Sequence, residues 1–174
     1  MIERLDTPRL RLRCFEEADA SFVLRLLNEP SFHEFIGDRG VRSLEDAQRY
    51  LREGPMASYR DNSHGLMRLS LRAGDIPIGM CGLVRRPTLP SPDIGFALLP
   101  EHWGMGYVTE AALAAIEHGR EALGLEEILG ITTPHNLRSI RVLEKLGLKF
   151  VEERALTPDT PPLRIYGIRY TSPP

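Results

Sequence analysis

The sequence predicts an α/β (α+β) fold with a largely antiparallel sheet, in one domain spanning residues 1–174. Runs of alternating apolar residues and runs at helical spacing follow the order strand, two or three helices, three strands, helix, strand, helix, two strands. One helix separates two strands in the second half of the chain, which would make those strands parallel neighbours. The length suits a single domain, and no linker, repeat or low-complexity tract divides it.

The first third of the chain predicts one strand followed by helices. Residues 9–13 alternate arginine and leucine, which places both leucines on a buried face. A helix is predicted over 16–28 and ends before Pro30, and a short helical piece follows at 32–36. Ser43 is the predicted N-cap of a further helix, because a hydroxyl followed by acidic residues is typical of a helix start.

The middle of the chain changes to strand periodicity. Residues 67–72 alternate apolar and polar side chains, and a tight turn joins them to a second strand at 76–84, which predicts a hairpin. The proline-rich segment 87–92 excludes regular structure and leads into a strand at 93–99.

The last third predicts two helices and three strands. A long helix rich in good helix formers ends at Gly124, and a short strand follows at 128–132. Asn136 caps a last helix that ends at Gly147. The final two strands are predicted at 150–155 and 163–170.

Composition and charge exclude several classes of protein. The formal charge of −2 disfavours a nucleic-acid partner, which would be held by bulk positive charge. No apolar run approaches a membrane span and the N-terminus is charged, so we expect a soluble, cytoplasmic protein with no membrane partner. Cys14 and Cys81 fall in predicted strands, which indicates buried free thiols. We expect no metal site, because the histidines are scattered and neither cysteine has a partner at ligand spacing.

A glycine-rich turn from Trp103 to Val108 joins the strand at 93–99 to the long helix. Gly104 and Gly106 have no Cβ atom, so their N–H groups can approach a ligand closely, and the helix N-terminus adds partial positive charge. A pyrophosphate would suit such a turn, and a plain strand-to-helix turn is the alternative. A dinucleotide fingerprint would need glycine where Thr109 stands, and the Gly-Lys-Ser/Thr ending of a P-loop is absent.

Three segments together resemble one family. The run from Asp93 to Ala111, with Trp103-Gly104-x-Gly106-Tyr107 at its centre, resembles the coenzyme A motif of the GNAT superfamily of N-acetyltransferases. It is most similar to the branch that includes the ribosomal-protein N-terminal (alanine/serine) acetyltransferases. Residues 136–147 resemble that branch's second motif, and residues 7–13 resemble its first strand. The resemblance implies a GNAT-like, mostly antiparallel sheet of roughly six to seven strands, about four flanking helices and a splayed pair of parallel central strands.

Two residues depart from the motif. Met105 stands where a basic residue is usual, which removes one side-chain contact to phosphate. Val108 stands where a small residue is usual, which narrows the pyrophosphate cradle.

By this resemblance the protein would transfer an acetyl group from acetyl-CoA directly to a primary amine, and the acceptor would be a protein N-terminus or a small molecule. A backbone N–H near Leu99, the catalytic residue named for it, would polarise the thioester carbonyl. Ser139 would donate a hydrogen bond to the departing sulfur, and Asp93 would act as base or amine anchor. The residues implied to bind acetyl-CoA are Leu98, Leu99, Trp103, Gly104, Met105, Gly106, Tyr107, Val108, Asn136 and Ser139.

Several alternatives stay open at this level. Asn136 could serve only as a helix cap, Ser139 could face solvent, and Asp93 could be an exposed acid at a strand start. A water chain could replace a dedicated base, because an N-terminal α-amine has a pKa of about 8. The protein could instead be a catalytically degenerate acyl-CoA-binding sensor or interaction module, and a homodimer is left open.

The acceptor pocket and the first turn of the long helix carry further candidates. Glu110 is expected to be an acid favoured by the helix dipole. Residues that could line an acceptor pocket, with packing in the core as the alternative, are Phe32, His33, Glu34, Phe35 and Tyr166.

Overall fold

The computed structural model describes residues 3–171. Eight strands in that range form one sheet: β1 (Arg4–Asp6), β2 (Leu10–Arg13), β3 (Leu66–Leu71), β4 (Ile76–Val84), β5 (Asp93–Leu98), β6 (Glu127–Thr132), β7 (Lys149–Arg154) and β8 (Leu163–Arg169). Their order across the sheet is β1-β2-β3-β4-β5-β6-β8-β7. Neighbouring strands are antiparallel except β5 and β6, which are parallel.

The helices cover both faces of this sheet. They are α1 (Ala20–Leu27), α2 (Pro30–Phe35), α3 (Leu44–Glu53), α4 (Pro55–Asn62), α5 (Tyr107–Glu121) and α6 (Leu137–Lys145). One face packs against α5 and α6 through a core that includes Ile116 and Leu143. The other face packs against α1 and α3 through a second core that includes Leu26 and Leu51. Ser43 is the N-cap of helix α3 as predicted, with a capping box between Ser43 and Asp46.

The predicted mixed fold with a mostly antiparallel sheet is confirmed. Two elements were missed. Strand β1 has three residues, too few to show a period, and it is held by pairing with β2. Helix α4 follows Gly54 and begins at Pro55, where the sequence reads as a break; proline is accepted there because the first helical N–H needs no partner. Pro30 likewise begins α2.

The sheet opens between its two parallel strands. A single residue pair, Asp93 and Leu129, is in register between β5 and β6, and the N–H of Leu129 donates to the carbonyl of Pro92 at 2.9 Å. Beyond that pair β6 continues beside β8 and β5 continues beside β4, so the two strands separate toward their carboxyl ends. The predicted splayed pair is confirmed, and the glycine turn lies at the open end.

Candidate active site

A cleft of about 560 Å³ opens where β5 and β6 separate. Its walls are the second half of β5, the glycine turn with the first turn of α5, the helix α2, and one face of α6 along its length. The predicted ligand-binding residues that line it are Leu98, Trp103, Gly104, Gly106, Tyr107, Val108, Asn136 and Ser139. Leu99, Met105 and Asp93 do not line it.

The backbone of the glycine turn has free donors. Within residues 3–171, the N–H groups of residues 104–109 have no hydrogen-bond partner, and the first helical bond is from Glu110 N–H to the Gly106 carbonyl at 3.1 Å. Gly104 and Gly106 both have φ +77°, a conformation that side chains with a Cβ adopt at a cost. The turn is exposed, so these donors and the positive end of α5 are available to an anion.

The prediction for Leu99 is corrected by its hydrogen bonding. Its N–H donates to the carbonyl of Ile78 on β4 at 2.8 Å, so it cannot serve a ligand in the cleft. Because N–H groups alternate sides along a strand, those of Phe96 and Leu98 point the other way, toward the gap beside β6. The Leu98 carbonyl already accepts from the Trp103 indole at 3.0 Å, which ties the glycine turn to the end of β5.

Helix α6 brings Asn136 and Ser139 to the cleft. The Asn136 side-chain oxygen accepts from the Ser139 N–H at 3.1 Å, so Asn136 is a helix cap that also lines the cleft. Within residues 3–171 the Ser139 hydroxyl has no hydrogen-bond partner, and it is partly exposed to the cleft. A hydroxyl in that state can donate to a ligand atom.

Sequence reasoning missed a basic row beside these residues. Arg138, Arg141 and Lys145 line the cleft from α6, and the Arg138 guanidinium lies 4.4 Å from the centre of the Trp103 ring. Their helical spacing could have indicated a positive face. These three cations lie on one wall of the cleft, where they would stabilise a bound anionic group by electrostatic attraction.

Asp93 lies apart from the cleft. It is 1% exposed and three residues, about 10 Å along β5, before the first lining residue, Phe96. One carboxylate oxygen accepts from Arg86 Nε at 2.8 Å, and the other is buried without a partner among residues 3–171. Burial raises the pKa of Asp93, and the Arg86 guanidinium opposes that rise. The geometry does not bring Asp93 together with Ser139 and the turn.

The α2 wall of the cleft is apolar and aromatic. Phe32, Phe35 and Ile36 line it, and the Phe35 ring lies 5.8 Å from that of His135, which precedes α6. Helix α2 therefore reaches across the gap between the parted strands. The other acceptor-pocket candidates do not line the cleft: His33 and Glu34 are elsewhere on α2, and Tyr166 is buried in the core.

No group of three or more His, Cys, Asp or Glu side chains in residues 3–171 has the geometry of a metal site. Across the same range, no helix has the length and apolar character to cross a membrane.

The sequence profile of the acetyltransferase (GNAT) domain matches residues 9–149. The chain belongs to the GNAT acetyltransferase family. It is 30% identical over 154 residues to the uncharacterized protein YkkB of Bacillus subtilis, covering 84% of this chain and 86% of the relative. GNAT enzymes transfer an acetyl group from acetyl-CoA to an amine, and this chain is an acyl-CoA-dependent N-acetyltransferase.

Solved GNAT structures share the fold over almost the whole chain. An acetyltransferase from Agrobacterium tumefaciens superposes with a TM-score of 0.82 at 26% identity, covering 98% of this chain and 96% of that one. The ribosomal L7/L12 α-N-protein acetyltransferase RimL, in complex with coenzyme A, has a TM-score of 0.83 at 14% identity, covering 96% and 98%. At that identity the likeness to RimL is one of fold alone.

Proposed function

We propose that this GNAT protein transfers the acetyl group of acetyl-CoA to a primary amine by direct attack in a ternary complex. The observation that carries the proposal is the set of free N–H groups at residues 104–109, which lie at a cleft that also contains the unpaired Ser139 hydroxyl. A diphosphate at the turn and a thioester in the cleft would each meet a donor.

The turn and α6 supply the groups that would hold acetyl-CoA. The free N–H groups would bind the diphosphate, and Arg138, Arg141 and Lys145 would supply the positive charge that Met105 does not. The missing Cβ atoms at Gly104 and Gly106 allow the backbone to approach the phosphate oxygens closely. The residues present therefore fit a diphosphate ester such as coenzyme A.

The reaction needs a neutral amine, a thioester beside it, a donor to the developing oxyanion and a donor to the leaving sulfur. The neutral amine nitrogen attacks the thioester carbon, a C–N bond forms, the C–S bond breaks, and the amine loses a proton to water. The N–H groups of Phe96 and Leu98 face the gap and would stabilise the oxyanion. Ser139 Oγ would donate to the leaving sulfur, whose conjugate thiol has a pKa of about 8.5 and needs only modest help.

The acceptor would reach the thioester along the α2 wall. Phe32, Phe35 and Ile36 make that wall apolar, and Glu29 adds a carboxylate there. An amine with an apolar neighbouring group would therefore be favoured, and both an N-terminal peptide and a small aromatic amine satisfy that description.

A thiol-release assay tests the proposal. Acetyl-CoA is offered with a panel of N-terminal peptides, polyamines and small arylalkylamines, and its binding is measured separately by calorimetry. We expect binding and release of free coenzyme A with at least one amine. Binding without release on any amine would instead identify a degenerate acyl-CoA-binding module.

A further inference from the structure

A set of contacts outside the cleft holds the glycine turn from behind. Arg9 lies just before β2, and its Nη1 donates to the Met105 carbonyl at 2.9 Å. Its Nε donates to Glu110 Oε2 at 2.7 Å, and its backbone N–H donates to Glu110 Oε1 at 3.0 Å. Thr7 Oγ1 donates to the same Oε1 at 2.6 Å. We call Thr7, Arg9 and Glu110 the Arg9 clamp.

The clamp fixes the direction of a donor in the turn. In a trans peptide the C=O and N–H of one peptide unit point to opposite sides, and no cis peptide occurs among residues 3–171. The Met105 carbonyl points to Arg9, so the N–H of Gly106, in the same unit, points away from Arg9. That N–H is one of the free donors of the turn.

Among residues 3–171, the turn has one other side-chain hydrogen bond, from the Trp103 indole to the Leu98 carbonyl. Both of its glycines have wide conformational freedom, and the Met105 side chain is 52% exposed. Arg9 also stacks 4.7 Å from the centre of the Tyr107 ring, and its Nη2 lies 3.5 Å from where a Cβ on Gly106 would stand. The guanidinium thus packs against the turn and the first residue of α5.

We propose that Arg9, held by Glu110 and Thr7, is a positioning residue that orients the Gly106 N–H of the turn for the diphosphate of acyl-CoA. The inference rests on the proposed function, since it assigns the turn a diphosphate ligand. A turn fixed before binding loses less conformational entropy when the ligand arrives. Glu110, predicted from sequence to be a helix-dipole acid, is the anchor of this clamp because both its carboxylate oxygens are engaged.

The test compares two acyl donors that differ only beyond the pantetheine arm. S-acetylpantetheine has the thioester but no diphosphate, so a defect in the turn should not affect it. We expect Arg9→Gln to raise the KM for acetyl-CoA about tenfold while kcat changes less than about twofold. The kcat/KM for S-acetylpantetheine should stay within about twofold of wild type.

Two further variants separate positioning from folding. Arg9→Lys keeps the charge but replaces the two separate donors of the guanidinium, Nε and Nη1, with one ammonium nitrogen, so it should raise the KM for acetyl-CoA like Arg9→Gln. If Arg9→Gln does not fold, the KM of Arg9→Lys for acetyl-CoA tests the inference in its place. The control is Arg169→Gln, which removes an ion pair of the same length, Arg169 Nε to Glu127 Oε1 at 2.7 Å, away from the cleft. It should leave both KM values unchanged.

An unchanged KM for acetyl-CoA in a folded Arg9 variant would overturn the inference. So would an equal loss with S-acetylpantetheine, because that would indicate general damage to the fold. Failure of the proposed function has a different outcome: wild-type protein would then release no coenzyme A with any amine, whether or not it binds acetyl-CoA.

Discussion

The hydroxyl of Ser139 and the carboxyl of Asp93 have opposite surroundings. Ser139 Oγ lines the cleft without a partner among the described residues, whereas Asp93 is 1% exposed and ion-paired with Arg86. A free hydroxyl can serve the reacting atoms, and a buried, paired acid mainly serves the fold. Substitutions at these two positions should therefore have different effects.

Ser139→Ala removes the proposed donor to sulfur. We expect kcat to fall about tenfold to a hundredfold while the calorimetric Kd for acetyl-CoA stays the same, because the hydroxyl acts on the leaving group rather than on binding. The helix should be unaffected, since the capping bond uses the Ser139 backbone N–H. A variant with wild-type turnover would remove Ser139 from the mechanism.

Asp93→Asn should affect stability more than turnover. The change removes the charge that pairs with Arg86, and we expect the free energy of unfolding to fall by about 1–2 kcal/mol because Arg86 is half-buried and can rehydrate in part. Denaturant unfolding measures that loss, with kcat measured on the folded fraction. A loss of kcat above about a hundredfold in folded protein would make Asp93 the base.

The glycine turn is the element that links backbone conformation to binding. Its two glycines have positive φ, and no atom lies within 4 Å of a Cβ built on Gly104, so a side chain there would be strained by φ alone. Gly124, after α5, has φ +66° with the same open space, and it is far from the cleft walls. A comparison of substitutions at Gly104 and Gly124 therefore separates the stability lost to backbone strain from the loss of ligand binding.

Gly104→Ala and Gly124→Ala should destabilise the protein equally, by about 1–2 kcal/mol each, because both force a Cβ into the left-handed region. Only Gly104→Ala should raise the KM for acetyl-CoA, since it displaces free N–H groups of the turn. Thermal unfolding and donor kinetics on both variants check this. An equal rise in KM for Gly124→Ala would contradict the assignment.

Helices and strands with a clear hydrophobic period could be predicted from the sequence. Short elements, and burial that depends on packing against distant segments, could not. Helix α6 has Asn136 as its N-cap and buries Ile140 and Leu143, as the pattern indicates. The alternation in β3 suggested one buried face, yet Arg68 and Ser70 on the opposite face are buried too, because α1 and α3 cover it. Local periodicity reports which residues share a face but not what packs on it.

Parts of the site depend on contacts between distant segments, which no single motif shows. Arg9 and Glu110 are 101 positions apart and meet only because β2 lies next to α5. The Leu99 prediction failed for a related reason: the side to which a strand N–H points depends on pairing with β4. The motif residues of the turn and of α6 are brought to one cleft, but their partners had to be found in the structure.

At the scale of the whole molecule, the side chains of the described cleft walls that could accept a proton from the amine are Glu29 and His102. The single carboxylate among the cleft-lining residues of the described chain is Glu29, which has Arg25 at 3.8 Å. If neither side chain acts as a base, the acceptor has to arrive neutral, so its own pKa should control the rate.

The pH dependence of kcat/KM should therefore follow the acceptor. We expect it to rise with pH and level off above about 8 for an N-terminal α-amine and above about 10 for a lysine-like amine, because only the unprotonated form attacks. Profiles measured with two acceptors on one enzyme preparation check this. A midpoint that stays fixed when the acceptor changes would indicate a base on the protein.

The parting of β5 and β6 creates two unpaired strand edges in the middle of the sheet. Exposed strand edges of this kind usually pair with strands of other molecules, which leads to aggregation. Here α2 and α6 flank the opening, and Phe35 and His135 meet across it, so a slender linear molecule can enter but another sheet cannot. The same walls that admit a substrate should therefore protect this interior gap from intermolecular pairing.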